Sequence, residues 1–130
     1  MEKGQPSLRG QEALVTGGTD GIGRETAIAL AKMGASVTIL GRDKVKGDQV
    51  IEKCRAAGAD NIRFVKSDLS SHASIQETAK TLLQFVPRIN ILVNNAGGYF
   101  ASRRVNADGI EMTFGLNHLG YFTLTNLLLE

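Results

Sequence analysis

Eight residues near the start of the chain, Thr16-Gly17-Gly18-Thr19-Asp20-Gly21-Ile22-Gly23, place three glycines at the spacing G-x-x-x-G-x-G. In front of them stands a short apolar run, Ala13-Leu14-Val15-Thr16. Behind them Ile22, Thr26, Leu30 and Met33 recur at helical spacing. A glycine turn between a strand and a helix can grip a pyrophosphate. Gly17 permits the sharp turn off the strand, and Gly21 and Gly23 let backbone approach the phosphates and let the helix pack close to a sheet. The N–H groups of the helix's first turn, from Ile22 onward, then face the anion. The competing reading is a plain tight turn. No Lys-Ser or Lys-Thr follows Gly23, so nucleotide hydrolysis on a P-loop is not expected.

Four more positions carry polar chemistry where an apolar run ends or a helix begins. The run Ser36-Val37-Thr38-Ile39-Leu40 stops at Gly41-Arg42-Asp43. An acid at such a strand end hydrogen-bonds both ribose hydroxyls of NAD, whereas an arginine neutralises the 2′-phosphate of NADP. Gly41 occupies the acid's place and Arg42 follows, which points to NADP. Asp43, at the customary distance after the last glycine, keeps NAD as the alternative, although a helix N-cap is its expected role. Asp68, just past Ile62-Arg63-Phe64-Val65, can accept from an adenine amino group or cap the next helix. Ile91-Leu92-Val93 delivers the chain into Asn94-Asn95-Ala96-Gly97-Gly98, where the amides can tie backbone on either side of a cleft and the glycines leave room for a ribose. Local turn bonds are the competing role for the asparagines. Asn117 lies in an apolar helical stretch, Phe114 to Leu128, and a buried amide there must find partners. Its neighbour His118 is expected on the surface or in packing rather than as a base. No metal-ligating cluster stands out.

These positions need elements to hold them. The apolar runs at 13–16, 36–40, 62–65 and 89–93 alternate with helical patterns. One runs from about Lys44 to Ala57, with Val50, Cys54 and Ala57 on one face, and closes at Gly58. Another follows Ser71 as N-cap, with Ile75, Ala79, Leu82, Leu83 and Val86 as its stripe, and ends at Pro87. Short strands alternating with helices predict parallel βαβ units in an α/β fold, with helices on both faces of a four-stranded sheet ordered 3-2-1-4.

At 130 residues, 42% apolar and 22% charged, the chain reads as one folded domain after a polar segment at 1–11. A net charge of +2 spread along the sequence gives no nucleic-acid surface. The single cysteine, Cys54, reads as a buried thiol without chemistry. No apolar run approaches the length of a membrane span, and no signal peptide is evident. A cytoplasmic setting is the default expectation, with organelle association left open.

Taken in order, these stretches resemble the short-chain dehydrogenase/reductase family, and within it the retinol dehydrogenase-like branch. Residues 16–23 resemble the family's cofactor loop, Asp68-Leu69 its adenine-contacting pair, Asn94-Asn95-Ala96-Gly97 its fourth-strand motif, and Asn117-His118-Leu119-Gly120-Tyr121-Phe122 its fifth helix. The resemblance implies a Rossmann-type three-layer fold and an NADP(H)-dependent oxidoreductase acting on an alcohol or carbonyl substrate. It further implies cofactor contacts from Gly17, Thr19, Asp20, Gly21, Ile22, Gly23, Arg42, Asp68, Leu69, Asn95, Ala96 and Gly97. Asn117 would be the catalytic asparagine, holding a water that leads to the family's lysine.

The family's serine, and its tyrosine with a lysine four residues on, have no counterpart here. Tyr99 and Tyr121 are followed at that distance by Arg103 and Thr125. Residues 12–130 are therefore expected to be an incomplete NAD(P)-binding domain, cut before the family's fifth strand, that binds cofactor without turning substrate over. A noncatalytic nucleotide-binding partner of a full-length relative, or an interaction module, are the alternatives. The apolar edge of the fourth strand and the last helix are expected to promote self-association.

Overall fold

The computed structural model of the chain describes residue 4 and residues 6–129. The leading polar segment, 1–11, lies partly outside the described residues, since 1–3 and 5 are not among them. From Leu8 it is anchored: Leu8 N–H donates to the Met33 carbonyl at 2.8 Å, and the Gln11 carbonyl accepts from Ser36 N–H at 2.9 Å.

The elements alternate as the pattern predicts: β1 (Glu12–Thr16), α1 (Gly21–Lys32), β2 (Ser36–Gly41), α2 (Lys44–Ala56), β3 (Ile62–Lys66), α3 (His72–Phe85) and β4 (Ile91–Val93). They are followed by α4 (Met112–Phe114), a π-helical turn over Gly115–Leu119, and α5 (Gly120–Leu128). The strands form one parallel sheet in the order β3-β2-β1-β4, with Val15 opposite both Ile39 and Val93. The α/β class and strand order are those expected. The chain divides into two compact units, one of residues up to Lys66 together with Arg88–Asn95, the other of Ser67–Pro87 together with residues from Ala96 on.

The first unit contains the sheet. Ala13, Val15, Val37 and Ile39 make its core with Ala27, Ile28 and Ala31 of α1 and Val50 and Cys54 of α2. The alternate positions Leu14, Thr16, Thr38 and Leu40 are buried as well, which is why β1 and β2 read as unbroken apolar runs. Burying a side chain such as Leu14 or Ile39 contributes roughly 1.5–3 kcal/mol each relative to exposure.

Three details of this unit differ from the sequence reading. The buried face of α1 is Gly23, Ala27, Ile28 and Ala31, while Ile22 is 80% exposed. Small residues let α1 approach the sheet closely, so Ile22 lies about 100° around the helix from Gly23 while Leu30 packs at the margin of the core. In α2 the buried positions are Gly47, Val50 and Cys54, and Ala57 is exposed. The helix stops one residue early because Gly58, at φ +82°, turns the chain, and Gly47 is needed where a Cβ would stand 2.6 Å from the Phe64 ring. β4 begins at Ile91 rather than Ile89, since Asn90 already pairs with β1 through both its backbone and its side chain: its N–H donates to the Glu12 carbonyl and its Oδ1 accepts from Glu12 N–H, both at 2.9 Å.

In the second unit α3 packs along α5. Ser71 caps α3, as expected, by accepting from Ser74 N–H, and the helix ends before Pro87. Its buried positions are Ile75, Thr78, Ala79 and Leu82, with Leu83 57% exposed. Leu83 lies about 80° around the helix from Ile75, at the edge of the stripe. Thr78 is tolerated in the interior because its hydroxyl bonds Ser67 Oγ at 2.6 Å and the Ser74 carbonyl at 2.8 Å. Glu111 caps α4, accepting from the N–H groups of Thr113 and Phe114.

Candidate cofactor site

The glycine-rich turn connects β1 to α1, and its glycines answer two kinds of constraint. Gly17 and Gly21 adopt φ of +64° and +53°, the left-handed region that costs other residues strain. A Cβ on Gly21 would meet no protein atom within 4 Å, so its requirement is conformational and the space before it is open. Gly23 has the opposite requirement. A Cβ there would collide with the Gly17 carbonyl oxygen and with Asn95 Nδ2. Gly18, which the sequence reading left without a role, is also fixed by packing, since its Cβ would stand 2.6 Å from Ile39 Cγ2.

The turn is pinned from β4. Asn95 Nδ2 donates to the carbonyls of Thr16 and Gly17, at 3.3 and 3.2 Å, and Asn95 N–H donates to Thr16 Oγ1 at 2.9 Å. Thr16 Oγ1 donates in turn to the Val93 carbonyl at 3.3 Å. Asn95 thus ties backbone across the carboxyl ends of β1 and β4, as its amide chemistry suggests. Thr16 is a member of this network that its place in an apolar run concealed.

At the start of α1, Asp20 is the N-cap and accepts from Gly21 N–H at 2.9 Å. The N–H groups of Ile22 and Gly23 find no acceptor among the described residues. Lys46 Nζ lies 3.2 Å from the other Asp20 oxygen, and this hydrogen bond, with the one from Gly21, holds the Asp20 carboxyl below the usual carboxylate range. Thr19 packs on Gly41, where a Cβ would stand 2.7 Å from Thr19 Cγ2; an acidic side chain at the end of β2 is therefore excluded unless Thr19 moves. Arg42 is exposed and makes no ion pair among the described residues. Asp43 accepts from Val45 and Lys46 N–H, which is the N-cap role expected of it.

The remaining candidates belong to the second unit. The Asp68 carboxylate accepts from Ser70 N–H at 2.9 Å and Ser70 Oγ at 2.6 Å; it forms a local turn, and the cap of α3 falls to Ser71. The side chain of Leu69 is buried, and its carbonyl lies where a Cβ on Gly120 would be 2.6 Å away, so Gly120 allows α5 to approach. Asn117 sits in the π-helical turn and uses both ends of its amide on one residue. Its Oδ1 accepts from Gly98 N–H and its Nδ2 donates to the Gly98 carbonyl, each at 2.9 Å. Gly97 stands beside it, with the place of its Cβ 3.2 Å from Asn117 Oδ1 and 3.9 Å from the Tyr121 hydroxyl. Burial pushes the Tyr121 hydroxyl above its ordinary pKa, the direction opposite to that needed in a proton-transfer tyrosine. His118 is exposed and stacks on Phe114 at 5.2 Å, a surface role. In the first unit Cys54 is buried, and desolvation raises its thiol pKa.

A family model described as short chain dehydrogenase matches residues 11–130. The chain belongs to the short-chain dehydrogenase family. Within this family it is 41% identical to mouse retinol dehydrogenase 14 over 97% of the chain and 41% of that protein. It is 44% identical to human polyprenol dehydrogenase over 91% of the chain and 36% of that protein. The chain spans about two fifths of the length of the curated relatives it matches. Among solved structures, the Pseudomonas aeruginosa RhlG/NADP active-site complex superposes with a TM-score of 0.80 at 36% identity, covering 95% of this chain and 48% of that one. A metagenomic short-chain oxidoreductase in complex with NADP gives 0.81 at 31%, covering 93% and 56%. The resemblance to the retinol dehydrogenase branch and the Rossmann-type fold are thereby established for this chain. Among its described residues no helix is long and apolar enough to cross a membrane.

Proposed function

We propose that these 130 residues form the NADP(H)-binding part of an oxidoreductase that transfers hydride between the cofactor and an alcohol or carbonyl substrate. The carrying observation is the β1–α1 turn. Two left-handed glycines, a third glycine with no room for a Cβ, and unbonded N–H groups on Ile22 and Gly23 form a cradle for a pyrophosphate. Gly17, Thr19, Asp20, Gly21, Ile22 and Gly23 would hold it there. Arg42, with no competing partner among the described residues, supplies a fork of donors for a 2′-phosphate, and Gly41 leaves NAD without its usual acid. Asp68 and Leu69 would contact adenine, and Asn95, Ala96 and Gly97 the nicotinamide-side ribose. Asn117 would orient that loop through Gly98.

When bound, the cofactor supplies the hydride or accepts it. The chain's own residues bind and orient it. Proton exchange with the substrate oxygen needs a group these residues do not contain, since neither tyrosine is followed four positions on by a lysine. Cofactor binding without turnover is accordingly the reading for the chain by itself. The names of the relatives favour an isoprenoid alcohol as substrate of the whole protein. The outer edge of β4, last in the sheet, supports self-association, which light scattering would reveal. Calorimetric titration of the chain with NADP+ and NAD+ tests the central claim. Tighter binding of NADP+ is expected; equal affinities, or no binding of either, would overturn it.

A further inference from the structure

α2 begins with three cations, Arg42 just before it and Lys44 and Lys46 in its first turn, and the structure treats them differently. Lys44 is engaged within the helix by Asp48 at 2.8 Å, as Arg55 is by Glu52. Lys46 instead reaches out of the helix to Asp20, twenty-six positions earlier, at the start of α1. Its ammonium therefore reaches the glycine-rich turn at Asp20. Both side chains of the pair are half exposed or more, at 50% and 68%, so the pair is weak and solvent-screened. Thr19 against Gly41 joins the same two segments on the other side of Asp20. Arg42 follows Gly41, so Arg42, Lys46 and Asp20 all lie at one junction, between the ends of β1 and β2.

We propose that Lys46 is a second determinant of cofactor choice: its ammonium binds the 2′-phosphate together with Arg42, and Asp20 is the counter-ion that holds it in place until the phosphate arrives. This rests on the dinucleotide reading of the turn. A phosphate near two negative charges is a stronger partner for an ammonium than one exposed carboxylate, and exchange leaves Asp20 still capping Gly21 through its other oxygen. NAD+ has no group to take Lys46 from Asp20. Lys46 therefore contributes to NADP+ affinity and not to NAD+ affinity.

The test is titration of the full chain and its variants with NADP+, NAD+ and adenosine 2′,5′-bisphosphate. Lys46→Gln is expected to weaken NADP+ and the bisphosphate by roughly tenfold, the scale of one charge-assisted hydrogen bond, and to leave NAD+ within about twofold. Lys46→Arg restores most of the loss. Asp20→Asn keeps a capping oxygen while removing the counter-ion, and should raise the preference for NADP+. Since Lys46 is half exposed, circular dichroism of Lys46→Gln should match the parent. An unchanged NADP+ affinity in Lys46→Gln overturns the proposal alone. So does an equal loss for both dinucleotides, which would mean that Lys46 only screens Asp20 from the pyrophosphate. A parent chain that binds neither dinucleotide overturns the reading of the turn, and the proposal with it.

Discussion

Replacing Gly23 with alanine adds one methyl group where the structure has none to spare. Helix propensity alone favours the change by about 1 kcal/mol. Packing opposes it, because the new Cβ would collide with the Gly17 carbonyl oxygen and Asn95 Nδ2 and stand 2.9 Å from the Gly17 carbonyl carbon. Two of these atoms are backbone, held by Asn95 and by the turn's own φ, so they cannot swing aside. Relief requires α1 to lift by something on the order of 1 Å, which forfeits a quarter to a half of the dispersion energy along Ala27, Ile28 and Ala31. Overpacking of this kind costs about 1–3 kcal/mol, and a backbone obstacle puts Gly23→Ala toward the upper end, net destabilising by roughly 2 kcal/mol. Gly21→Ala provides the control: nothing crowds its Cβ, and the cost of φ +53° is about 1 kcal/mol. Urea denaturation followed by circular dichroism ranks the two, and NADP+ titration should show binding lost in Gly23→Ala, where Asn95 is displaced. If Gly23→Ala proved as stable as the parent and bound NADP+ equally well, the close approach of α1 to the turn would be refuted.

Arg42→Asp should reverse cofactor preference, weakening NADP+ by roughly tenfold or more while giving NAD+ ribose an acceptor; calorimetry with both dinucleotides measures it. Asn117→Ala removes both bonds to Gly98 and leaves its half-buried N–H and carbonyl unpaired, so stability falls by about 1–3 kcal/mol, and a urea midpoint equal to the parent's would contradict this. The carboxyls of Asp20 and Glu111 are held below their ordinary pKa, the first by the Lys46 and Gly21 hydrogen bonds and the second by the N–H groups of Phe114 and Thr113. In the window below about pH 4 the unfolded chain then binds more protons than the folded one. The contribution of these groups is whole above that window and is lost as pH falls through their folded pKa values, so thermal melts of Asp20→Asn/Glu111→Gln should lose less on acidification than those of the parent. The chain by itself should show no NADP+-dependent alcohol oxidation, and steady turnover in an absorbance assay would reveal a proton donor other than the one Tyr121, raised by burial, can provide.

Much of this was legible in the sequence because the relevant signals are local. The apolar runs ending in glycine at Gly17 and Gly41, and the N-caps Asp43 and Ser71, depend on neighbours a few residues away, and backbone sterics there leave few alternatives. Four such runs alternating with helices, with a glycine-rich turn after the first, also pointed to the doubly wound order 3-2-1-4 that the sheet adopts. Tertiary structure decided what depends on distant partners. Periodicity marked Ile22 and Leu30 at helical spacing, but the closeness of helix to sheet buries Gly23, Ala27 and Ala31, leaves Ile22 exposed and packs Leu30 only at the margin of the core. No pattern indicates that Asn95 pins the Gly17 carbonyl, that Thr19 fills the space at Gly41, or that Asn117 bonds Gly98 through both its amide oxygen and its amide nitrogen. Lys46 reads as one more solvated charge on α2 until its ammonium is seen at Asp20. Local spacing sets which dihedral angles and caps are possible. Which side chain meets which carbonyl across many residues of chain is set by packing, where one methyl group or a few ångströms reverses the outcome.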